Sequence, residues 1–344
     1  MTTKLISWYY ENKRDLPWRH KKNPYHIWVS EIILQQTQIK TGIDYYHRFI
    51  NKFPNIQSLS SASERDVLHI WQGLGYYNRA LNMLITAKTV VQKYNSIFPS
   101  KYNDLIQLKG IGEYTASAIS SICSNEKKAV VDGNVYRFLS RLYNIKTPIN
   151  STQGKKEFQK IANKMLPNKN SGIYNQAIME FGSIHCKKHT PKCNTCPFQT
   201  KCRSFHAGVI KMRPVKHKRA VYKTRYLNYF IIKNKKGFFI QQRGVKDIWK
   251  KLYELPLLES RSEMKKEQLI KHDYLNPFQI QKVKHIASID HKLTHQNLKI
   301  NFWETWSKKF QIRDNLFTIT IEDIPRYPFP KPLKNYFDKE HLSI

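Results

Sequence analysis

Acidic residues are scarce in this sequence. Its 344 residues include 25 Asp and Glu against 59 Lys and Arg, a formal net charge of +34 at pH 7. A basic excess of this size repels itself unless it faces an acidic partner, and the usual partners are nucleic acids and anionic membrane surfaces. A general compositional bias toward lysine is the alternative, and it accounts for only part of the excess.

Long apolar runs are also missing. No stretch reaches the length of a membrane span, and the start MTTKLISWYYENKRDLPW lacks the apolar segment of an export signal. We therefore expect a soluble, unexported protein whose partner is nucleic acid and not a membrane. The length favours two globular domains, because a single core rarely grows beyond about 250–300 residues.

Cysteine is rare and concentrated in one place. Four of the five cysteines lie in CKKHTPKCNTCPFQTKC, residues 186–202, with the spacing C-x6-C-x2-C-x5-C. Thiols of an unexported protein stay reduced, so this loop predicts a metal site and not disulfides. Zinc sites usually pair two short C-x-x-C arms, whereas four thiolates in one short loop favour a single 4Fe–4S cluster. Zinc remains the alternative. The predicted ligands are Cys186, Cys193, Cys196 and Cys202.

The pattern of apolar residues changes once along the chain. Up to about residue 205 it has the helical period, as in ERDVLHIW (64–71) and NVYRFLSRLY (134–143). Residues 209–225 carry seven Lys or Arg and one Pro, and are predicted to form a basic, solvated linker. YLNYFIIK, FFIQQR and KINFWETW are then typical of strands. The sequence predicts a mainly helical N-terminal domain and a smaller α+β domain that begins near residue 226.

Two further features of the sequence suggest a phosphate-binding turn and acid–base catalysis. LKGIGEYTASAI, residues 108–119, places Gly110 and Gly112 in a tight turn before a helix. Backbone N–H groups at such a turn suit a DNA phosphate, although an ordinary helix connection is the alternative. Two carboxyls are candidates for acid–base chemistry, Glu31 in WVSEIILQQTQ and Asp132 in VVDGNV. Their structural alternatives are a solvated helix face for Glu31 and an N-cap for Asp132.

Taken in order, several stretches resemble MutY-type adenine DNA glycosylases, which are helix-hairpin-helix, iron–sulfur enzymes. They are RDLPWR (14–19), WVSEIILQQTQ (28–38), WQGLGYYNRA (71–80), LKGIGEYTA (108–116), VDGNVYR (131–137), NQAIMEFG (175–182) and the cysteine loop. The resemblance implies a mainly α helix-hairpin-helix glycosylase domain at 1–208, with the 4Fe–4S loop at 186–202. It also implies the linker at 209–225 and a Nudix-like, MutT-related α+β domain at 226–344. No Nudix box is present there, so we expect no pyrophosphatase activity.

The resemblance implies a base excision repair enzyme that hydrolyses the N-glycosidic bond of adenine mispaired with 8-oxoguanine or guanine in double-stranded DNA. It also implies a monofunctional enzyme, a monomer, one 4Fe–4S cluster and a location in the bacterial cytoplasm or nucleoid. The adenine must first be flipped out of the duplex. Glu31 then protonates N7 of the base, and Asp132 stabilises the oxocarbenium ion or traps it covalently, as in a retaining glycosidase. Tyr114 and Asn134 fall where the family places groups of the catalytic pocket.

The resemblance also assigns residues to DNA contact. Arg14, Leu16, Trp18 and Glu180 line the adenine pocket, Gln36 and Thr37 read the opposite strand, and Leu74 and Tyr76 fill the gap left by the flipped base. Core packing is the alternative for the last two. Where the family carries Phe-Ser-His to contact 8-oxoguanine, this chain has Leu293, Thr294 and His295. Threonine keeps the hydroxyl but leucine lacks the aromatic face, so we expect a change in damage recognition and not in the chemistry.

Three other functions fit parts of this pattern. An endonuclease III-like glycosylase for oxidised pyrimidines, with lyase activity, needs a lysine amine where Tyr114 stands. A thymine–guanine mismatch glycosylase can carry that tyrosine, but it lacks the long C-terminal domain. A non-catalytic DNA-binding protein does not need both Glu31 and Asp132. A base-release assay separates these hypotheses.

Overall fold

The computed structural model describes residues 1–217, 222–307 and 315–339. The chain forms two compact units, of which the first comprises Met1–Ala62 and Asn82–Arg219 and the second Ser63–Leu81 and Ala220–Ile344. Residues 63–81 therefore group with the C-terminal part of the chain, although the sequence analysis assigned them to the N-terminal domain. The predicted boundaries at residues 208 and 226 stay a prediction.

Helices dominate the described chain up to residue 206. They are α1 Thr2–Asn12, α2 Pro24–Leu34, α3 Ile39–Lys52, α4 Ile56–Ser60, α5 Glu64–Trp71, α6 Asn78–Lys93, α7 Tyr102–Leu105, α8 Glu113–Ser124, α9 Gly133–Tyr143, α10 Thr152–Met165, α11 Ser171–Glu180 and α12 Arg203–His206. Within the described residues, no helix is both long and apolar enough to cross a membrane.

Helix α9 illustrates how the sequence specifies these elements. Val135 and Phe138 are buried on one face, as the helical period predicted. Asp132 caps the N-terminus through its side chain, and Asn144 ends the helix in the left-handed conformation. The buried face packs with Phe181 in the core of the first unit. The helical period predicted in this stretch is confirmed.

The helical hairpin is formed by α7, the turn at residues 106–112 and α8. Gly110 has φ +81°, which favours glycine, and a Cβ added there would lie 2.9 Å from the Asn82 side chain. Gly112 is the N-cap residue of α8. Gly110 is thus required for the turn, whereas a Cβ at Gly112 would meet nothing within 4 Å.

The cysteine loop follows directly from a helix. Helix α11 continues into a π-helical turn, Phe181–His185, in which the N–H of Cys186 donates to the carbonyl of Phe181 at 2.8 Å. π-Turns of this kind often occur at functional sites. Arg213, in the predicted linker, is buried and donates to the Asn144 side chain at 2.9 Å, so this part of the linker is not solvated as expected. Residues 218–221 of the linker lie outside the described residues.

The second unit contains a mixed sheet. Its elements are β1 Lys223–Asn234, β2 Gly237–Gln242, β3 Tyr253–Glu254, β4 Leu257–Ser260, α13 Lys266–Ile270, β5 Ile280–Lys292, β6 Gln296–Ser307, β7 Leu316–Ile319 and α14 Lys331–Lys339. The strand order is β3-β2-β1-β6-β5, with β4 pairing with β1 and β7 with β2. β1 and β6 are parallel, and the other pairs are antiparallel. The three predicted strand segments are all strands.

Candidate active site

One cavity of about 530 Å³ in the first unit gathers most of the predicted site residues. Ten of them, all within the described part of the chain, line it: Arg14, Leu16, Trp18, Glu31, Gln36, Thr37, Tyr114, Asp132, Asn134 and Glu180. They come from the segment before α2, from α2 and the turn after it, and from the ends of α8, α9 and α11. The fold therefore brings together residues that lie up to 166 positions apart, as Arg14 and Glu180 do.

Glu31 is a buried carboxyl of this cavity with a raised pKa. Burial raises the pKa of Glu31 to about 7, and the negative charge of Asp132 acts in the same direction. A hydrogen bond from the Tyr114 hydroxyl and the positive charge of Arg19 oppose that rise. The same hydroxyl lies 3.4 Å from the Met179 sulfur. Glu31 therefore changes its protonation state near neutral pH, as a general acid requires.

Asp132 is surrounded by hydrogen-bond donors. Its Oδ1 accepts from the backbone N–H of Asn134 at 2.9 Å and of Val135 at 2.8 Å, and its Oδ2 accepts from Asn134 Nδ2 at 2.7 Å. The pKa of Asp132 is raised, because burial outweighs the opposing effect of these hydrogen bonds and of the nearby Arg137 charge. Asp132 is thus an N-cap that also lines the cavity. Its donors stabilise the ionised form, which suits a carboxylate facing a developing cation.

Glu180 is buried and bound by two arginines. Its Oε1 accepts from Arg14 Nε at 2.7 Å, and its Oε2 accepts from Nη2 of Arg14 at 2.8 Å and Nη2 of Arg19 at 2.9 Å. Burial by itself would raise the pKa of Glu180, but the two guanidinium groups lower it to about 2. Glu180 is therefore an ionised part of the cavity wall at neutral pH. Arg19 is the last residue of RDLPWR but was not among the predicted site residues.

Two further arginines were missed, and both connect α9 to the cysteine loop. Arg137 donates to Asn134 Oδ1 at 2.8 Å through Nη2 and to the Cys186 carbonyl at 2.8 Å through Nε. Arg141 is 2% exposed and donates to the Lys187 carbonyl at 2.7 Å through Nη1. The usable signal was their four-residue spacing, which places both on one face of a helix. These arginines position the loop relative to the residues around Asp132.

A second cavity, of about 420 Å³, lies within the second unit. Leu74, Tyr76, Leu293, Thr294 and His295 are among the residues that line it. The hydroxyls of Tyr76 and Thr294 are hydrogen-bonded to each other. Tyr76 has φ 50° and its side chain is 43% exposed, whereas Leu74 is half-buried. A non-glycine residue in this conformation is strained, and an exposed aromatic ring is available for contact with a ligand.

The four predicted metal ligands, Cys186, Cys193, Cys196 and Cys202, line a small cavity in the first unit, and all four are free thiols. Among the described residues, no group of three or more Cys, His, Asp or Glu side chains is arranged to hold a metal ion. A 4Fe–4S cluster needs a different arrangement of ligands from a single metal ion, because its thiolates bind iron atoms at separate corners of the cluster. A set of four thiols around one cavity fits that arrangement.

The fold agrees with comparisons to known proteins. Residues 29–167 match the HhH-GPD superfamily of base excision DNA repair proteins, and residues 228–339 match the NUDIX domain. The structure of a thermostable thymine-DNA glycosylase has a TM-score of 0.55 and 25% identity, and covers 60% of this chain and 95% of that one. A non-covalent endonuclease III–DNA complex has a TM-score of 0.53 and 21% identity over 60% of this chain and 94% of that chain, which shows the shared fold. The protein is a helix-hairpin-helix DNA glycosylase with a Nudix-like C-terminal domain.

Curated relatives show to which family of glycosylases this chain belongs. The adenine DNA glycosylase of Buchnera aphidicola subsp. Baizongia pistaciae is 38% identical over 300 residues, which are 86% of this chain and 83% of the relative. The adenine DNA glycosylase of Homo sapiens is 40% identical over 209 residues, which are 58% of this chain and 38% of the relative. This chain belongs to the MutY-type adenine DNA glycosylase family, and it is a base excision repair enzyme.

Proposed function

We propose that this enzyme removes adenine paired with 8-oxoguanine or guanine in double-stranded DNA, by hydrolysis and without cleaving the strand. The observation that carries the proposal is a pair of unlike carboxyls in one cavity. Burial raises the pKa of both carboxyls, to about 7 for Glu31, but three hydrogen-bond donors hold Asp132 and favour its ionised form. Environments that separate two carboxyls in this way assign one as the acid and the other as the carboxylate.

The two carboxyls divide the reaction between them. Glu31 in its protonated form donates its proton to N7 of the flipped adenine, which makes the base a better leaving group. Asp132 faces the sugar and stabilises the oxocarbenium ion or forms a bond to its anomeric carbon, and water completes the hydrolysis. Asn134 holds Asp132 Oδ2 through its Nδ2. Tyr114 holds Glu31 through its hydroxyl.

The lining of the cavity supports a monofunctional enzyme. Cleavage of the strand by a lyase needs an amine that forms a Schiff base with the sugar. No lysine is among the described residues that line the cavity. We expect no efficient strand cleavage without alkali or heat.

The second cavity is the proposed site of damage recognition. Tyr76, Thr294 and His295 give it one aromatic ring and two polar side chains. A base edge offers hydrogen-bond donors and acceptors, and its face suits an aromatic ring. Gln36 and Thr37, which line the first cavity, are proposed to contact the opposite strand. The hairpin turn at Gly110 and Gly112 is proposed to bind a DNA phosphate.

The proposed cofactor is one 4Fe–4S cluster held by the four cysteines around their common cavity. Bound there, it holds the loop that carries Lys187 and Lys188, which are exposed and available to the DNA backbone. Metal analysis of anaerobically purified protein should give about four irons and about four sulfides per chain. One zinc and no sulfide would contradict the proposal.

A glycosylase assay tests the proposed specificity. Duplexes carry adenine opposite 8-oxoguanine, guanine or thymine, and a fourth carries thymine opposite guanine. We expect release of adenine opposite 8-oxoguanine and guanine, with the other two duplexes left intact. Release of thymine opposite guanine would favour the mismatch glycosylase instead. The proposal includes a monomer in the bacterial cytoplasm, and the net charge of +34 supports DNA as its partner.

A further inference from the structure

The second cavity contains an indole group to which the proposed function gives no role. Trp249 lines this cavity together with Leu293 and Thr294. Its side chain is 9% exposed, so it is a largely buried part of the cavity wall. All three residues belong to the second unit. Trp249 therefore shares a cavity with the residues proposed to recognise the damaged base.

The backbone of Trp249 has an unusual conformation. Its φ is 58°, in the left-handed region that non-glycine residues rarely adopt, and Lys251 has φ 64°. Arg243 holds this loop, since its Nε donates to the Ile248 carbonyl at 3.0 Å and its Nη2 donates to Asp247 Oδ2 at 2.9 Å. Backbone strain that the surrounding structure maintains in this way occurs mainly at functional sites. The conformation of this loop therefore points to a function for the side chain that it carries into the cavity wall.

The indole ring of Trp249 is held in place by its neighbours. The His291 ring lies beside it, with ring centroids 6.1 Å apart and an interplanar angle of 48°. The guanidinium carbon of Arg243 lies 5.8 Å from the centroid of the indole ring. The ring is therefore positioned before a ligand arrives, so binding to it costs little conformational entropy.

The indole N–H of Trp249 has no hydrogen-bond acceptor among the described residues. By contrast, the buried indole of Trp303, in the same unit, donates its N–H to Asn228 Oδ1 at 3.1 Å. The N–H of Trp249 is also not fully enclosed by protein. A buried tryptophan usually has a partner for this group, so an unpartnered N–H in a cavity wall indicates a ligand that carries an acceptor.

We propose that the Trp249 indole N–H donates a hydrogen bond to the oxygen at C8 of 8-oxoguanine. The inference rests on the proposed function, in which the second cavity receives the damaged base. Oxidation of guanine at C8 replaces a C–H group with a carbonyl, which is an acceptor that guanine lacks at this position. An indole N–H is a donor only, so it bonds to this oxygen but not to the C8–H group of guanine. Trp249 is thus a specificity-determining residue that acts beside Thr294.

Duplex binding by Trp249→Phe tests the contact, because phenylalanine keeps an aromatic ring but has no N–H. The target adenine carries a 2′-fluoro sugar, whose glycosidic bond resists hydrolysis, and lies opposite 8-oxoguanine, guanine or 8-bromoguanine. We expect affinity to fall by about ten- to a hundredfold for the 8-oxoguanine duplex alone, the usual scale for a polar contact to a base edge. 8-Bromoguanine has a bulky group at C8 but no carbonyl there, so affinity for that duplex should not change.

Trp306→Phe is the matched control. Trp306 is a tryptophan of the same unit whose side chain is 42% exposed, and it does not line the cavity. Its substitution should leave all three affinities unchanged. An equal loss of affinity for all three duplexes in Trp249→Phe would show that Trp249 only supports the fold, and it would overturn the inference.

Nuclear magnetic resonance of the indole groups gives a second measurement, which a purely structural role of Trp249 would not change. The full chain is labelled with 15N-tryptophan, and the signal that is missing in Trp249→Phe belongs to Trp249. This N–H proton should shift downfield in the complex with the 8-oxoguanine duplex and not in the complex with the guanine duplex. The same shift in both complexes would contradict the contact.

Failure of this contact is distinguishable from failure of the proposed function. If the wild type prefers the 8-oxoguanine duplex and Trp249→Phe keeps that preference, only the contact is overturned. If the wild type itself shows no preference, the proposed specificity fails and the contact fails with it. If Trp249→Phe does not fold, the wild type and Trp306→Phe decide. An indole signal that shifts only with the 8-oxoguanine duplex, and that Trp306→Phe retains, then supports the contact, and its absence overturns it.

Discussion

The hydroxyl of Tyr76 is hydrogen-bonded to the hydroxyl of Thr294, 218 residues further along the chain. Tyr76 follows the glycine turn after α5, and Thr294 lies between β5 and β6. Both residues belong to the second unit and line its cavity. Damage recognition in our proposal therefore depends on a coupled pair of residues and not on one loop.

Removing either hydroxyl should weaken the preference for adenine opposite 8-oxoguanine over adenine opposite guanine. A polar contact to a base edge is worth about 1–3 kcal/mol, so Thr294→Val should lower the preference by about ten- to a hundredfold. Tyr76→Phe should have a smaller effect in the same direction. Because the hydroxyls hold each other, the double variant should be no worse than Thr294→Val alone. Single-turnover rates on both duplexes measure this, and fully additive losses would show that the hydroxyls act independently.

Leu293→Phe should improve binding to the damaged pair. An aromatic contact adds about 0.5–1.5 kcal/mol beyond its buried area, so we expect about two- to tenfold tighter binding to adenine opposite 8-oxoguanine. Binding to an undamaged duplex of the same sequence is the control and should not change. An equal gain in affinity for both duplexes would indicate non-specific DNA binding and not recognition of the damaged base.

Glu31→Gln and Asp132→Asn should each lower the rate of adenine release by at least about a hundredfold, the usual scale for a positioned acid–base group. Both substitutions keep the shape of the side chain, and neither residue contacts phosphate in the proposed function. Single-turnover rates and duplex affinities are measured together. Affinity that falls in step with the rate would indicate that the two carboxyls are mainly structural.

The pH dependence should follow Glu31. Its protonated form is the acid and its pKa is about 7, so the rate should fall as pH rises through about 7. The Tyr114 hydroxyl lowers the pKa of Glu31 by hydrogen bonding to the ionised form. Tyr114→Phe should therefore move the alkaline fall to higher pH, even if the maximal rate drops. An alkaline fall at the same pH in both proteins is the contrary result.

Glu180→Gln should destabilise the first unit. It leaves two guanidinium groups beside a buried site without their carboxylate, a loss of about 3–5 kcal/mol in the free energy of unfolding. Asp338→Asn is the control, because it breaks the exposed pair with Lys334, which is worth at most about 1 kcal/mol. Urea denaturation measures both. The pKa of Glu180 is lowered, so its contribution is present above pH 4.5 and is lost as pH falls toward 2. Equal stability of the two variants would contradict the prediction.

The sequence by itself determined the features that depend on neighbouring residues, which are the helices, the strands, the turn and the motifs. The helical period of apolar residues predicted α5 and α9, and the change of that pattern near residue 226 predicted β1, β2 and β6. The tight turn was predicted from Gly110 and Gly112 ahead of a helix, and Gly110 has the positive φ of such a turn. The motifs that carry the family resemblance also pointed to the residues of the first cavity, since their order along the chain is specific to that family.

Only the tertiary structure decided the pKa values of the site residues and the side chains that they contact. Glu31 reaches a pKa of about 7 because segments distant in sequence bury it, and no window of residues around it contains that information. Arg19 stands in a quoted motif, yet its role depends on the residue that faces it, which is Glu180. Local sequence sets backbone conformation through short-range sterics and hydrogen bonds. Burial and long-range hydrogen bonds arise only when the whole chain has folded.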